Sequence, residues 1–209
     1  MPLPSPTARS MTRLSAFAFV LLALLFGVAL AFGGPESPVD RSILIAMQID
    51  GLVGAARLLT RLGDWWGYLS IGAAAALWLA WRGHRRRALL LVALLLSERL
   101  LVTLLKLLFG RARPDPLGHL DPVHTLSFPS GHAANAMTLG LGLALLLASQ
   151  SQRKPALVAA LVFAFAVGAT RLVLGVHWPS DVAAGWALGA LWTLLLVRLT
   201  AGTSSSPRH

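Results

Sequence analysis

Three short stretches hold most of the side chains in this sequence that could do chemistry. "KLLFGRARP", Lys106 to Pro114, offers a lysine and two arginines. Lysine is a compact point charge and arginine a planar fork that can grip two phosphate oxygens at once, so the set suits an anion. "PSGHAANAM", Pro129 to Met137, puts Ser130, Gly131 and His132 where an apolar segment begins. A helix start leaves backbone N–H groups free, and together with the helix dipole these attract an anion. Ser130 suits the capping position, Gly131 lets the backbone approach a ligand, and His132 falls in the first turn beside it. "TRLVLGVHWPSD", Thr170 to Asp181, supplies Arg171, His177 and Asp181. Pro179 favours the first turn of a helix and pushes the residue before it out of helical geometry. His177 then precedes the helix, Asp181 lies in its first turn, and the chain can fold the one back on the other. A carboxylate bonded to one imidazole nitrogen fixes the tautomer and leaves the other nitrogen free as a nucleophile.

Each stretch also has a plainer reading: a basic helix end that snorkels to the interface, a cap, a structural His–Asp pair. What decides between the readings is where the three stand relative to one another. The chain has 209 residues, 56% hydrophobic and only 12% charged, against roughly 25% charged in an ordinary soluble domain. Apolar blocks of about 20 residues match the length that crosses a bilayer as a helix. They fall at 14–32, 65–81, 88–108, 132–149, 155–173 and 180–200, predicting an all-α polytopic membrane protein with six transmembrane helices. No connection is long enough for a second soluble domain. Segment 36–63, broken by Asp40, Arg41, Gln48, Asp50, Arg57 and Arg61, is too polar to span and is expected as an interfacial helical segment between the first two spans. It would cover the spans, or act as a lid or a lipid-headgroup contact.

Orientation follows from the basic residues. With the N-terminus in the cytoplasm, ten of the 18 Lys and Arg lie on that side, dominated by the short loop "RGHRRR", and seven lie outside. The net charge of +10 is therefore mainly a topology signal, with attraction to anionic lipid headgroups second, and nucleic acid need not be invoked. The first apolar segment has a basic start and a small-residue end like a signal peptide, but its apolar run is longer, so a retained helix is expected. Cleavage would leave the rest of the topology intact. Zero cysteines carry no information about compartment. Glu98 and Arg99 lie mid-span, where charge is expensive, as a structural pairing with other helices or as part of a substrate cavity. In "DPLGHLDPVHT", His119 and His124 with Asp115 and Asp121 are spaced too loosely for a metal site and are expected as a solvated loop, with headgroup selection as the alternative.

On this topology the three stretches share the outer surface, each at a helix end. Two histidines, a carboxylate and several cations converge there. Lys106 with six residues to Arg113 and Pro114, then Pro129-Ser130-Gly131-His132, then Arg171 with five residues to His177 and three to Asp181, resembles the three-part signature of the type-2 phosphatidic acid phosphatase superfamily. The resemblance covers about residues 65–200; Thr170 stands where the family usually has Ser. It implies one membrane-embedded phosphatase domain over 1–209, with 1–13 and 201–209 as cytoplasmic tails. It further implies that His177 is the nucleophile, that Asp181 supports it, and that His132 is the acid and base. Lys106, Arg113, Ser130, Gly131 and Arg171 would bind phosphate, with no metal and no cofactor. Arg111 ranks second.

A site at the outer face of a bacterial inner membrane implies a lipid phosphate substrate, with undecaprenyl diphosphate leading and phosphatidylglycerophosphate and lipid A phosphates close behind. Two rivals remain. Soluble relatives of the superfamily hold vanadate in the same pocket and act as haloperoxidases, but they are much longer. A non-enzymatic lipid-binding or lipid-moving protein on a disabled scaffold would be expected to have lost a histidine or the aspartate.

Overall fold

The computed structural model describes residues 6–114 and 120–202. Among these the chain is all helical: α1 (Pro6–Phe32), α2 (Pro38–Met47), α3 (Val53–Thr60), α4 (Trp65–Trp81), α5 (Arg85–Phe109), α6 (Gly131–Leu146), α7 (Arg153–Val173) and α8 (Pro179–Gly202). Every expected span is a helix. Three helical stretches, α5, α7 and Pro179–Thr200, are long and apolar enough to cross a membrane by length and composition; Ala16–Phe32 and α6 are apolar but shorter. Segment 36–63 is helical with a break, as expected. Its two halves bend by 67° and together are apolar enough for a broken span or a re-entrant loop, a possibility its polar residues had argued against. One of those polar groups is satisfied internally: buried Asp40 accepts from the Gly34 amide at 2.6 Å and the Ser180 amide at 3.0 Å.

The burial pattern is inverted relative to a soluble protein. Leu89, Leu96, Leu100 and Leu107 of α5 are exposed, while Glu98, Asn135, Thr138, Arg171 and Asp181 are buried. Apolar groups facing lipid and polar groups facing protein is the arrangement that a bilayer demands. Helix α6 is the central post, with α5, α7 and α8 around it, α1 along α8 and α4 along α5. Small residues allow that closeness, as is usual in membrane helix packing. A Cβ on Gly185 would stand 2.5 Å from the Ser130 carbonyl oxygen, and one on Gly189 would stand 2.6 Å from that of Ala134. These contacts hold the first turn of α6 against the second and third turns of α8, beside the second chemical stretch and just past the end of the third.

Candidate active site

Each functional side chain comes from a helix end at one pole of the bundle. Lys106 stands in the last turn of α5, which Gly110 terminates at φ 60°, a left-handed conformation that glycine adopts without penalty. Its ammonium donates to the Leu126 and Ser127 carbonyls, tying the end of α5 to the strand of chain that leads into α6. Three further bonds draw the segments together. The Ser127 amide donates to the Arg111 carbonyl at 2.9 Å, the Ser130 amide to the Asp181 carbonyl at 2.9 Å, and the Trp178 indole to the Ala112 carbonyl at 3.0 Å.

His177 sits just before α8, buried. Its Nε2 lies 3.1 Å from an Arg113 nitrogen, and its Nδ1 lies 3.4 Å from Asp181 Oδ2. A guanidinium can only donate. Nε2 therefore carries the lone pair, and the ring proton is on Nδ1, facing the carboxylate. Burial holds the His177 imidazole well below the ordinary value of 6.5, and the nearby Arg113, Lys106, Arg171 and His132 push the same way. Burial also lowers Arg113, to about 10, with repulsion from Arg171 adding to it and Asp181 and Asp121 opposing it. It stays cationic at neutral pH.

Asp181 is saturated with donors. Oδ2 accepts from the Ser127 hydroxyl and from the Trp178 amide at 3.0 Å, and Oδ1 pairs with Arg111 at 2.9 Å. Arg111 also donates to the Ala29 and Leu30 carbonyls at the end of α1, at 3.1 and 2.8 Å, and lies over the Phe128 ring. Its direction is away from the cavity, so it anchors the carboxylate.

The remaining groups line one cavity of about 680 Å³, which includes Lys106, Arg113, Gly131, His132, Arg171 and His177 in its wall. Arg171 donates to the Thr60 hydroxyl at 2.6 Å and pairs with Asp121 at 3.0 Å. Ser130 departs from expectation. It is the N-cap residue of α6, yet its hydroxyl makes no capping bond and is buried without a partner. Its backbone is fixed through the Asp181 carbonyl, so the side chain is not needed for the cap, and the first α6 amides receive no side-chain acceptor from it. Glu98 and Arg99 divide between their two readings: Glu98 accepts from the Tyr68 hydroxyl at 2.9 Å inside the bundle, and Arg99 lines the cavity. Asp121 and His124 also line it, His124 being exposed as a solvated loop residue is, while Asp115 and His119 lie outside the described residues.

All eight predicted site residues thus cluster, six on the cavity wall with Ser130 and Asp181 directly behind it. Sequence reasoning missed Ser127, which no motif marks, and Thr60 and Asn135, which face the cavity from α3 and α6. Arg99 had a signal, because it precedes Lys106 by seven residues and so shares its helix face. Chemically, the arrangement offers an anion a ring of cations, free helix amides and an unprotonated imidazole nitrogen.

Known proteins bear on this arrangement. A lipid A 1-phosphatase of Rhizobium johnstonii is 32% identical over 191 residues, covering 73% of this chain and 74% of its own length. An undecaprenyl-diphosphatase of Sulfolobus acidocaldarius is 27% identical over 190 residues, 86% of this chain and 88% of its own. The crystal structure of a transmembrane PAP2 type phosphatidylglycerolphosphate phosphatase from Bacillus subtilis superposes with a TM-score of 0.73 at 26% identity, over 92% of this chain and 98% of that one. The family model described as PAP2 superfamily matches residues 86–204, more than half of the sequence, and the chain belongs to that superfamily.

Proposed function

We propose that the protein is an integral membrane phosphatase that removes a phosphate from a lipid phosphate or diphosphate, through a phosphohistidine at His177, with undecaprenyl diphosphate as the leading substrate. The observation that carries the reading is the His177 ring, held between Asp181 at Nδ1 and Arg113 at Nε2 on the wall of the cationic cavity. Six spans, cytoplasmic termini and a periplasmic site in a bacterial inner membrane complete it, supported by the distribution of Lys and Arg.

In this reading Lys106, Arg113 and Arg171, with the Ser130 hydroxyl and the Gly131 amide, hold the non-bridging oxygens of the phosphate. They stabilise charge that grows in the transition state. Nε2 of His177 attacks phosphorus in line; the P–N bond forms as the bond to the leaving oxygen breaks. Asp181, neutralised by Arg111, supports the imidazolium that results. His132 gives a proton to the leaving oxygen, then takes one from the water that splits the P–N bond and releases phosphate.

The three relatives named above act, by their names, on a lipid A phosphate, an undecaprenyl diphosphate and a phosphatidylglycerophosphate, which supports a lipid phosphate or diphosphate as substrate. A non-enzymatic lipid-moving scaffold is disfavoured because His132, His177 and Asp181 are all retained and gathered. The test is phosphate release by purified protein from a panel of detergent-solubilised lipid mono- and diphosphates. Release that His177→Ala abolishes supports the reading; lipid movement in proteoliposomes with no phosphate release would contradict it.

A further inference from the structure

Arg99 is a cation of the cavity wall that the mechanism leaves unused. It lies on α5 seven residues before Lys106, about two turns along the same face, and so nearer the bilayer centre. Its guanidinium stacks on Trp65, 5.1 Å from the ring centroid, and one of its terminal nitrogens lies 3.6 Å from where a Cβ on Gly131 would stand. Among the described residues no carboxylate lies within ion-pair distance of it, and its guanidinium makes no hydrogen bond. Glu98 turns instead to Tyr68. A cation at this depth without an anionic partner is costly unless it faces a cavity and serves a ligand. Its neighbours are committed: Arg57 donates to the Leu120 carbonyl at 2.9 Å, Arg171 to Asp121, and Arg113 to the Thr125 carbonyl at 2.7 Å.

Arg99 also marks a junction. A second cavity of about 540 Å³ is an open groove lined by Trp65, Leu96, Arg99, Leu100 and Thr103, with Leu96 and Leu100 exposed. Trp65 and Arg99 line both this groove and the cationic cavity. The scissile phosphate must reach His177 in the one, and an apolar tail fits the other. Whatever links them passes Arg99.

We propose that Arg99 forms a second anion subsite, which holds the phosphate that stays on the lipid when the terminal phosphate is removed. The inference rests on the phosphatase reading and narrows its substrate class to lipids with a further phosphate on the tail side of the scissile one. A diphosphate carries that phosphate directly bonded, and a glycerophospholipid with a terminal phosphate carries it as a diester three carbons away.

The test compares kcat/KM on an isoprenyl diphosphate, the isoprenyl monophosphate of equal length and phosphatidylglycerophosphate, in the wild type, Arg99→Gln and Arg99→Lys. Arg99→Gln lowers the diphosphate to monophosphate ratio about 10- to 100-fold, the loss expected for one charge-assisted contact, and the fall is in KM. Arg99→Lys keeps the charge without the fork and restores part of it; should the glutamine variant fail to fold in detergent, the lysine variant carries the comparison with a several-fold fall. A loss shared by phosphatidylglycerophosphate assigns the subsite to either kind of retained phosphate, and a loss confined to the diphosphate assigns it to the directly bonded one. An equal fall on monophosphate and diphosphate, or no change on either, overturns the subsite. A wild type that releases phosphate from none of the three overturns the phosphatase reading and the subsite with it.

Discussion

At the scale of single residues, the account turns on the His177 ring being neutral and aimed. His177→Ala should lower phosphate release by roughly 10⁶-fold, to background, as loss of a nucleophile does, and His132→Ala by roughly 10²- to 10⁴-fold, both with the protein folded in detergent. The pH profile has a definite sign. An imidazole held below 6.5 stays unprotonated, and so nucleophilic, in mild acid. The acid limb of kcat/KM therefore falls below pH 6.5, and Arg113→Met, which removes a repelling cation, moves it up. Stability follows the same group: the unfolded histidine takes up a proton near 6.5 and the folded one does not, so this group's contribution is lost as pH drops below 6.5. Arg111 makes a different prediction. Arg111→Leu strands the buried Asp181 carboxylate, a change that costs about 3–5 kcal/mol, and the melting temperature in detergent should fall accordingly. The catalytic types were legible because each motif pairs a residue with a helix end. The roles of Arg111 and Ser127 were not, since their partners come from α1 and α8, far away in sequence.

At the scale of elements, helix tips do the positioning, and the contact between α6 and α8 sets the distance from Ser130 to His177. Gly185→Ala pushes a methyl against the Ser130 carbonyl and the Ala133 side chain. Such overpacking costs about 1–3 kcal/mol, and activity should fall more than stability because the displaced turn is the one that carries the site. Gly131→Ala works differently. Its Cβ would make ordinary contacts with Arg99 and Lys106 at 3.6 and 4.0 Å, so the fold tolerates it while the methyl enters the space meant for phosphate, and KM should rise. Hydrophobic blocks made these helices readable to within a few residues, except that α1 begins at Pro6, eight residues before the apolar block. Segment 36–63 was less so, because composition counts polar residues without revealing that Asp40 is satisfied by the Gly34 and Ser180 amides.

At the scale of the whole molecule, the site lies at one pole, opposite the "RGHRRR" loop. The chain has no native cysteine, which allows a direct topology test: Thr125→Cys should react with an impermeant thiol reagent from the outside, and Arg86→Cys only after the membrane is opened. Charge bias carries the expectation about the side of the membrane, which this labelling tests, whereas nothing in the signature encodes the lipid tail, because the roles proposed for its residues concern only the phosphate. The central claim is the covalent intermediate on His177. Rapid quenching of the enzyme with a lipid substrate labelled in its terminal phosphate, followed by peptide mapping, should place an acid-labile, alkali-stable phosphoryl group on the peptide that contains His177. Label on any other residue, or full turnover with no phosphoenzyme and activity retained in His177→Ala, would contradict it.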